Sequence, residues 1–250
     1  MSVTKMIFKK QYPSLNLSSF DDAVEDQQQK VSRHGPLLGT RQLRSLILAP
    51  SGGGKTNLML NLLLDKNGLF YENIYLYSKT LNQPKYTFLA KVLKPLPIGF
   101  YTFSDSKEFV PLDQVKPRSI VVIDDLMCST DQQLMREYFT QGRHWDFDVF
   151  YLCQSYAHVD KHCVRDQSNL LILFKMDDLN LRHVYDDHVS GDMSWHKFKS
   201  MCHKCWNSGD KYGFLSIFKD EDVKFRRGLD EYIYWESPDE PYSRQQHQDE

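Results

Sequence analysis

The stretch Pro50-Ser51-Gly52-Gly53-Gly54-Lys55-Thr56 constrains this 250-residue chain more than any other. The apolar run Leu46-Ile47-Leu48-Ala49 precedes it, and Asn57-Leu58-Met59-Leu60-Asn61-Leu62-Leu63-Leu64 follows it. The order is strand, glycine-rich loop, helix, which is the context that gives a Walker A match its meaning. Three successive glycines have no Cβ atoms, so the backbone can curl around a phosphate with its N–H groups turned inward. The helix that starts near Lys55 adds the partial positive charge of its N-terminus. Lys55 is expected to reach the β- and γ-phosphates, and the Thr56 hydroxyl to ligate Mg²⁺. The nucleotide-binding segment is therefore read as Ala49, Pro50, Ser51, Gly52, Gly53, Gly54, Lys55, Thr56 and Asn57. Ala49 replaces the usual first glycine, which is tolerated because that residue only begins the turn.

A second motif, Ser119-Ile120-Val121-Val122-Ile123-Asp124-Asp125, is a buried strand ending in two carboxylates. In phosphate-loop NTPases an acidic residue here holds Mg²⁺ opposite the loop threonine, so Asp124 takes that role. Asp125 is placed to polarise the attacking water as general base. Further on, Asp148-Val149-Phe150-Tyr151-Leu152-Cys153-Gln154-Ser155 delivers an amide to the carboxyl edge of the sheet. Gln154 can donate to phosphate and accept from water, which suits a sensor of the bound nucleotide.

Apolar runs over 43–49, 73–78, 98–103, 119–123, 148–153, 170–174 and 212–218 read as strands. Several are apolar at nearly every position, as strands covered on both faces must be. Helical patterns over 56–64, 132–140 and 178–188 suit crossovers, so the fold class is α/β with a mainly parallel central sheet flanked by helices. Residues 1–40 read as a polar arm with one helix over 20–31, residues 41–235 as the ATPase domain, and 236–250 as a disordered tail. Apolar residues make up 41% and net charge is −2, which excludes a chain disordered throughout. Any nucleic-acid contact must then be local, or built from several copies around a channel. No run approaches the roughly 18–20 apolar residues of a membrane span, and no secretory signal is visible behind Met1. Five cysteines, an odd number, fit a reducing compartment.

Together, the Walker A segment, the aliphatic run into Asp124-Asp125, Gly142-Arg143-His144 and Phe150-Tyr151-Leu152-Cys153-Gln154-Ser155 resemble the viral DNA-packaging ATPases of the FtsK/HerA superfamily. The resemblance is to the poxvirus-type branch, as in virophages and Polinton/Maverick elements. It continues through Leu171-Ile172-Leu173-Phe174-Lys175, Arg182-His183-Val184-Tyr185-Asp186-Asp187-His188 and Tyr212-Gly213-Phe214-Leu215, covering roughly residues 40–220. It implies a RecA/FtsK-like phosphate-loop NTPase sheet with an extra strand between the Walker A and Walker B strands. It also implies ATP and Mg²⁺ as cofactors, and a homo-oligomeric ring that drives double-stranded DNA into a capsid. A capsid or portal-vertex protein would be a further partner. The location implied is host cytoplasm or viral factory, or the virion itself, with no membrane and no secretion.

In ring ATPases an arginine from the neighbouring subunit often completes the γ-phosphate site. Arg143 and Arg182 are the candidates, with pairing to Asp146 or Asp186 as the ordinary alternative. Cys202 and Cys205 with His188 and His196 could start a zinc site, but one Cys-x2-Cys without a second pair is weak, and residues 194–206 also form a helix with an apolar face. Residues 224–227 read as a solvated loop or edge. The rival functions are another FtsK/HerA-type DNA pump or helicase, and a nucleotide-gated assembly scaffold without turnover. A GTPase lacks support, since no Asn-Lys-x-Asp motif follows the Walker B strand.

Overall fold

A strand buried on both faces needs apolar side chains at odd and even positions alike, and the central runs of this chain supply them. In the computed structural model, which describes residues 33–38, 41–105, 108–126 and 132–235, these runs form the middle of one sheet. Strands β1 (Arg44–Leu48), β2 (Asn73–Ser78), β3 (Gly99–Phe103), β4 (Ser119–Asp124), β5 (Phe147–Cys153) and β6 (Leu170–Phe174) all run parallel. Strands β7 (Phe214–Phe218), β8 (Phe225–Arg227) and β9 (Glu231–Tyr232) continue the sheet antiparallel. Among the described residues the order is β3-β2-β4-β5-β1-β6-β7-β8-β9. β5 therefore separates β1, which carries the Walker A loop, from β4, which carries the paired carboxylates. This is the extra strand that the resemblance implies.

The two faces bury alternate residues of the same strands. Ile47, Ile74, Leu76, Ile120, Val122 and Leu152 face helices α1 (Lys55–Leu64) and α2 (Pro84–Leu93). Leu48, Tyr77, Ile123, Val149 and Leu173 face α3 (Gln132–Gln141), α4 (Asp178–His188) and α5 (Trp195–Trp206). Six parallel strands joined by helical or long crossovers leave their carboxyl ends on one edge. The loop after β1 sits there, where the strand order reverses on either side of β1.

Three differences from the sequence reading stand out. Helix α2 and strands β8 and β9 were not anticipated. Residues 224–227 are no solvated loop, because Arg226 is 2% exposed. Its guanidinium lies 3.9 Å from the Phe218 ring centre and 4.5 Å from that of Tyr232, and it donates to the carbonyls of Leu37 and Leu229. Within the expected polar arm, His34 and Leu38 are buried, and Arg33 donates to Asp148 at 2.9 Å. The helix expected over 20–31 and the tail 236–250 lie outside the described residues. No helix among the described residues is long and apolar enough to cross a membrane.

Candidate nucleotide site

The loop between β1 and α1 takes the shape that its glycines permit. Gly52 and Gly54 have φ of 72° and 110°, left-handed values that residues with a Cβ rarely adopt. Gly53 has no room for a side chain either, since a Cβ there would lie 2.8 Å from that of Ala49. Left-handed residues alternating with right-handed ones turn successive N–H groups toward one point, which makes an anion-binding nest. α1 begins directly behind Gly54, its N-cap. Lys55 is buried and folds back on the loop, donating to Ala49 O at 2.5 Å and Pro50 O at 3.2 Å. Burial lowers its pKa, while Asp124 and Asp125 oppose that shift. An incoming phosphate would give this ammonium a better partner than two neutral carbonyls.

Asp124 ends β4 and is buried. Burial raises its pKa, opposed by a hydrogen bond from Tyr86 and by the charge of Lys55. The Tyr86 hydroxyl, on α2, donates to Asp124 Oδ2 at 2.5 Å, and the Thr56 side chain lies beside the same phenol. Thr56 and Asp124 are both neighbours of Tyr86, and two hard oxygen donors held near each other fit a Mg²⁺ site. Asp125 follows with φ 51°, an uncommon conformation for a non-glycine residue, anchored by its N–H to Leu152 O at 3.0 Å. Its exposed carboxylate accepts from Gln154 Nε2 at 2.5 Å. Parallel pairing of β4 with β5 brings these two residues, 29 apart in sequence, to the same edge.

Beside the loop opens a cleft of roughly 570 Å³, lined by Gly52, Gly53, Gln154, Phe174, Lys175 and Tyr212 among others. The rings of Tyr212 and Phe174 press on the loop so closely that a Cβ on Gly54 would lie 2.9 and 3.1 Å from them. Tyr86, Phe174 and Tyr212 had no functional reading in the sequence. Each comes from an element distant in sequence, so spacing carried no signal for them.

Behind Gln154 the chain is tied to α4. Ser155 Oγ and Ala157 N both donate to Asn180 Oδ1 at 3.1 Å. Tyr156 donates to Asp187 at 3.0 Å and bonds to His188 Nε2 at 2.7 Å, and Arg165 pairs with the same Asp187 at 3.2 Å.

The two arginine candidates lie in different places. Arg182, on α4, pairs with Asp186 at 3.1 Å and stands 5.1 Å from the ring centres of both Tyr185 and Trp195. Arg143 belongs to the 3-10 turn Gly142–His144 that precedes β5, and its side chain lies outside the described residues. Asp146, its alternative partner, is engaged by Arg33 at 2.5 Å. Cys202 and Cys205 are buried on the core face of α5, and burial pushes the Cys205 thiol up to about 11. Among the described residues no three His, Cys, Asp or Glu side chains gather as a metal cluster.

No protein-family model matches the chain, and no curated protein matches it. Solved structures do. The genome packaging NTPase B204 of Sulfolobus turreted icosahedral virus 2, in complex with AMP, aligns with a TM-score of 0.52 at 10% identity, over 74% of this chain and 96% of B204. The same protein with ATP-gammaS gives 0.50 at 11% identity, over 74% and 96%. B204 of Sulfolobus turreted icosahedral virus, described as a DNA-packaging ATPase, gives 0.51 at 13% identity, over 75% and 97%. At such identities the common ground is the fold, that of an α/β phosphate-loop NTPase. It agrees with the resemblance to viral DNA-packaging ATPases carried by the motifs.

Proposed function

We propose that the chain is a Mg²⁺-dependent ATPase that powers translocation of double-stranded viral DNA into a capsid. One observation carries the hydrolytic part: Lys55 and Thr56 on one loop face Asp124 and Asp125 on another strand, with Gln154 bonded to Asp125 from the strand between them. The DNA-packaging part rests on the motif resemblance and on the fold common to this chain and B204.

In this reading the loop N–H groups and Lys55 bind the β- and γ-phosphates, and the nucleoside enters the cleft beside Tyr212 and Phe174. Thr56 directly, and Asp124 through water, would hold Mg²⁺, whose charge offsets that building on the phosphate oxygens. Asp125 accepts the proton of a water that attacks the γ-phosphorus in line, and ADP leaves as phosphate forms. Gln154 donates to Asp125 in this structure. Its amide can instead donate to the γ-phosphate, freeing the Asp125 oxygen for the water. The ATPase unit is residues 41–235, assembled as a homo-oligomeric ring around duplex DNA, with a capsid or portal-vertex protein as its docking partner.

Arg143 is the preferred trans-acting arginine. The seven residues of β5 span about 23 Å, so the turn before β5 lies at the sheet edge opposite the loop of its own subunit. An arginine there can reach a nucleotide only in a neighbour. Arg182 is second, because Asp186 and two rings already hold it.

The test separates binding from turnover. Lys55→Ala should abolish ATP binding or weaken it severely, because the phosphate charge loses its main side-chain partner. Asp125→Asn should bind ATP nearly as well as the parent chain and release no phosphate. Equal loss of nucleotide affinity in the two variants would remove Asp125 from the role of base. Phosphate release by the parent chain also discriminates against a scaffold that binds ATP without turnover.

A further inference from the structure

Tyr86 gives its single proton to a buried carboxylate. It lies in the first turn of α2, its ring part of the same buried core as Leu76, Leu89 and Ile120, and it is 3% exposed. Its hydroxyl donates to Asp124 Oδ2 at 2.5 Å. An ionised carboxylate can only accept, so the single phenol proton is committed to Asp124, while the Thr56 side chain lies beside the same phenol. The bond from Tyr86 holds the Asp124 carboxylate through Oδ2. Gln83, at the N-cap of α2, also favours the ionised form of Asp124. Ser78 lies opposite Asp124 in the β2–β4 register, so the β2–α2 connection closes over this side of the site.

We propose that Tyr86 is a positioning residue that orients Asp124 toward a nucleotide-bound divalent cation. The assignment rests on the reading of the site as a Mg²⁺-nucleotide site. Without the Tyr86 hydroxyl the Asp124 carboxylate could rotate away from the loop. Outer hydrogen bonds of this kind typically govern metal affinity by a factor of about 10–100.

The test titrates Mg²⁺ into the full chain with a fluorescent ADP analogue, using Tyr86→Phe, which keeps the ring and removes only the hydroxyl. The Mg²⁺ concentration at half-saturation should rise about 10-fold or more. Affinity for the same analogue in excess EDTA should stay at the parent value. Lys55→Ala serves as the contrast, losing affinity with and without Mg²⁺. An unchanged Mg²⁺ midpoint in Tyr86→Phe overturns the proposal. So does an equal loss of affinity with and without Mg²⁺, which would mark Tyr86 as structural support only. Parent protein that binds the analogue with no response to Mg²⁺ refutes the metal-site reading itself, and Tyr86's role with it.

Discussion

Single residues decide this site through backbone conformation as much as through charge. Gly54 holds φ 110° with Tyr212 and Phe174 against the place a Cβ would occupy. Gly54→Ala is expected to cost on the order of 1–3 kcal/mol of stability from the left-handed conformation alone, and to weaken nucleotide binding as the loop shifts. Thermal unfolding beside nucleotide titration checks both. A variant with unchanged melting temperature would mean that the loop does not need this conformation. The residues read from the sequence were those whose chemistry is declared by their neighbours. Lys55 and Thr56 follow glycines, and Asp124 and Asp125 end an aliphatic run. Tyr86 was silent because its role exists only through contact with Asp124, 38 positions away. Arg226 misled for a related reason. Its charge is satisfied by carbonyls and ring faces from Leu37, Phe218, Leu229 and Tyr232, which no local pattern announces.

At the scale of elements, legibility followed burial. Runs such as Ile120-Val121-Val122-Ile123 can be satisfied only in the middle of a sheet, and β2, β4 and β6 were found there. Strands β8 and β9, of three and two residues, are too short to show a period; β8 pairs with β7, and β9 with β8. Helix α2 carries Pro84 at its start, where a missing N–H costs nothing, but its weak patterning hid it. The junction of α4 with the sensor connection makes a prediction of its own. Burial, reinforced by Lys219 and Lys224 and opposed by Asp187, lowers the His188 pKa from 6.5 to about 4. Above pH 6.5 the ring is neutral in folded and unfolded chains alike. Between pH 6.5 and 4 only the unfolded chain takes the proton, so stability falls across that window, by on the order of 3 kcal/mol. Denaturant unfolding at pH 7 and pH 4.5 should show this loss, and His188→Gln should flatten it. An identical slope in the two proteins would place the acid sensitivity elsewhere.

For the whole molecule, assembly is the decisive property. A net charge of −2 gives no general attraction to DNA, so a duplex must be held locally or by several copies at once. If Arg143 completes a neighbour's site, Arg143→Ala should leave ATP binding by isolated chains unchanged. Turnover in the assembled state should fall by a factor on the order of 10³. Mixing Arg143→Ala with Asp125→Asn chains should restore activity at interfaces where an intact arginine meets an intact Asp125, although neither variant works alone. Mixed oligomers that stay inactive would pass the role to Arg182. The most direct measurement is steady-state phosphate release by the parent chain, varied in protein concentration with and without duplex DNA. A DNA-driven ring ATPase requires turnover per chain to rise with concentration, to rise further with duplex DNA, and to vanish in Asp125→Asn. Turnover that is independent of both concentration and DNA, or that survives Asp125→Asn, would contradict it.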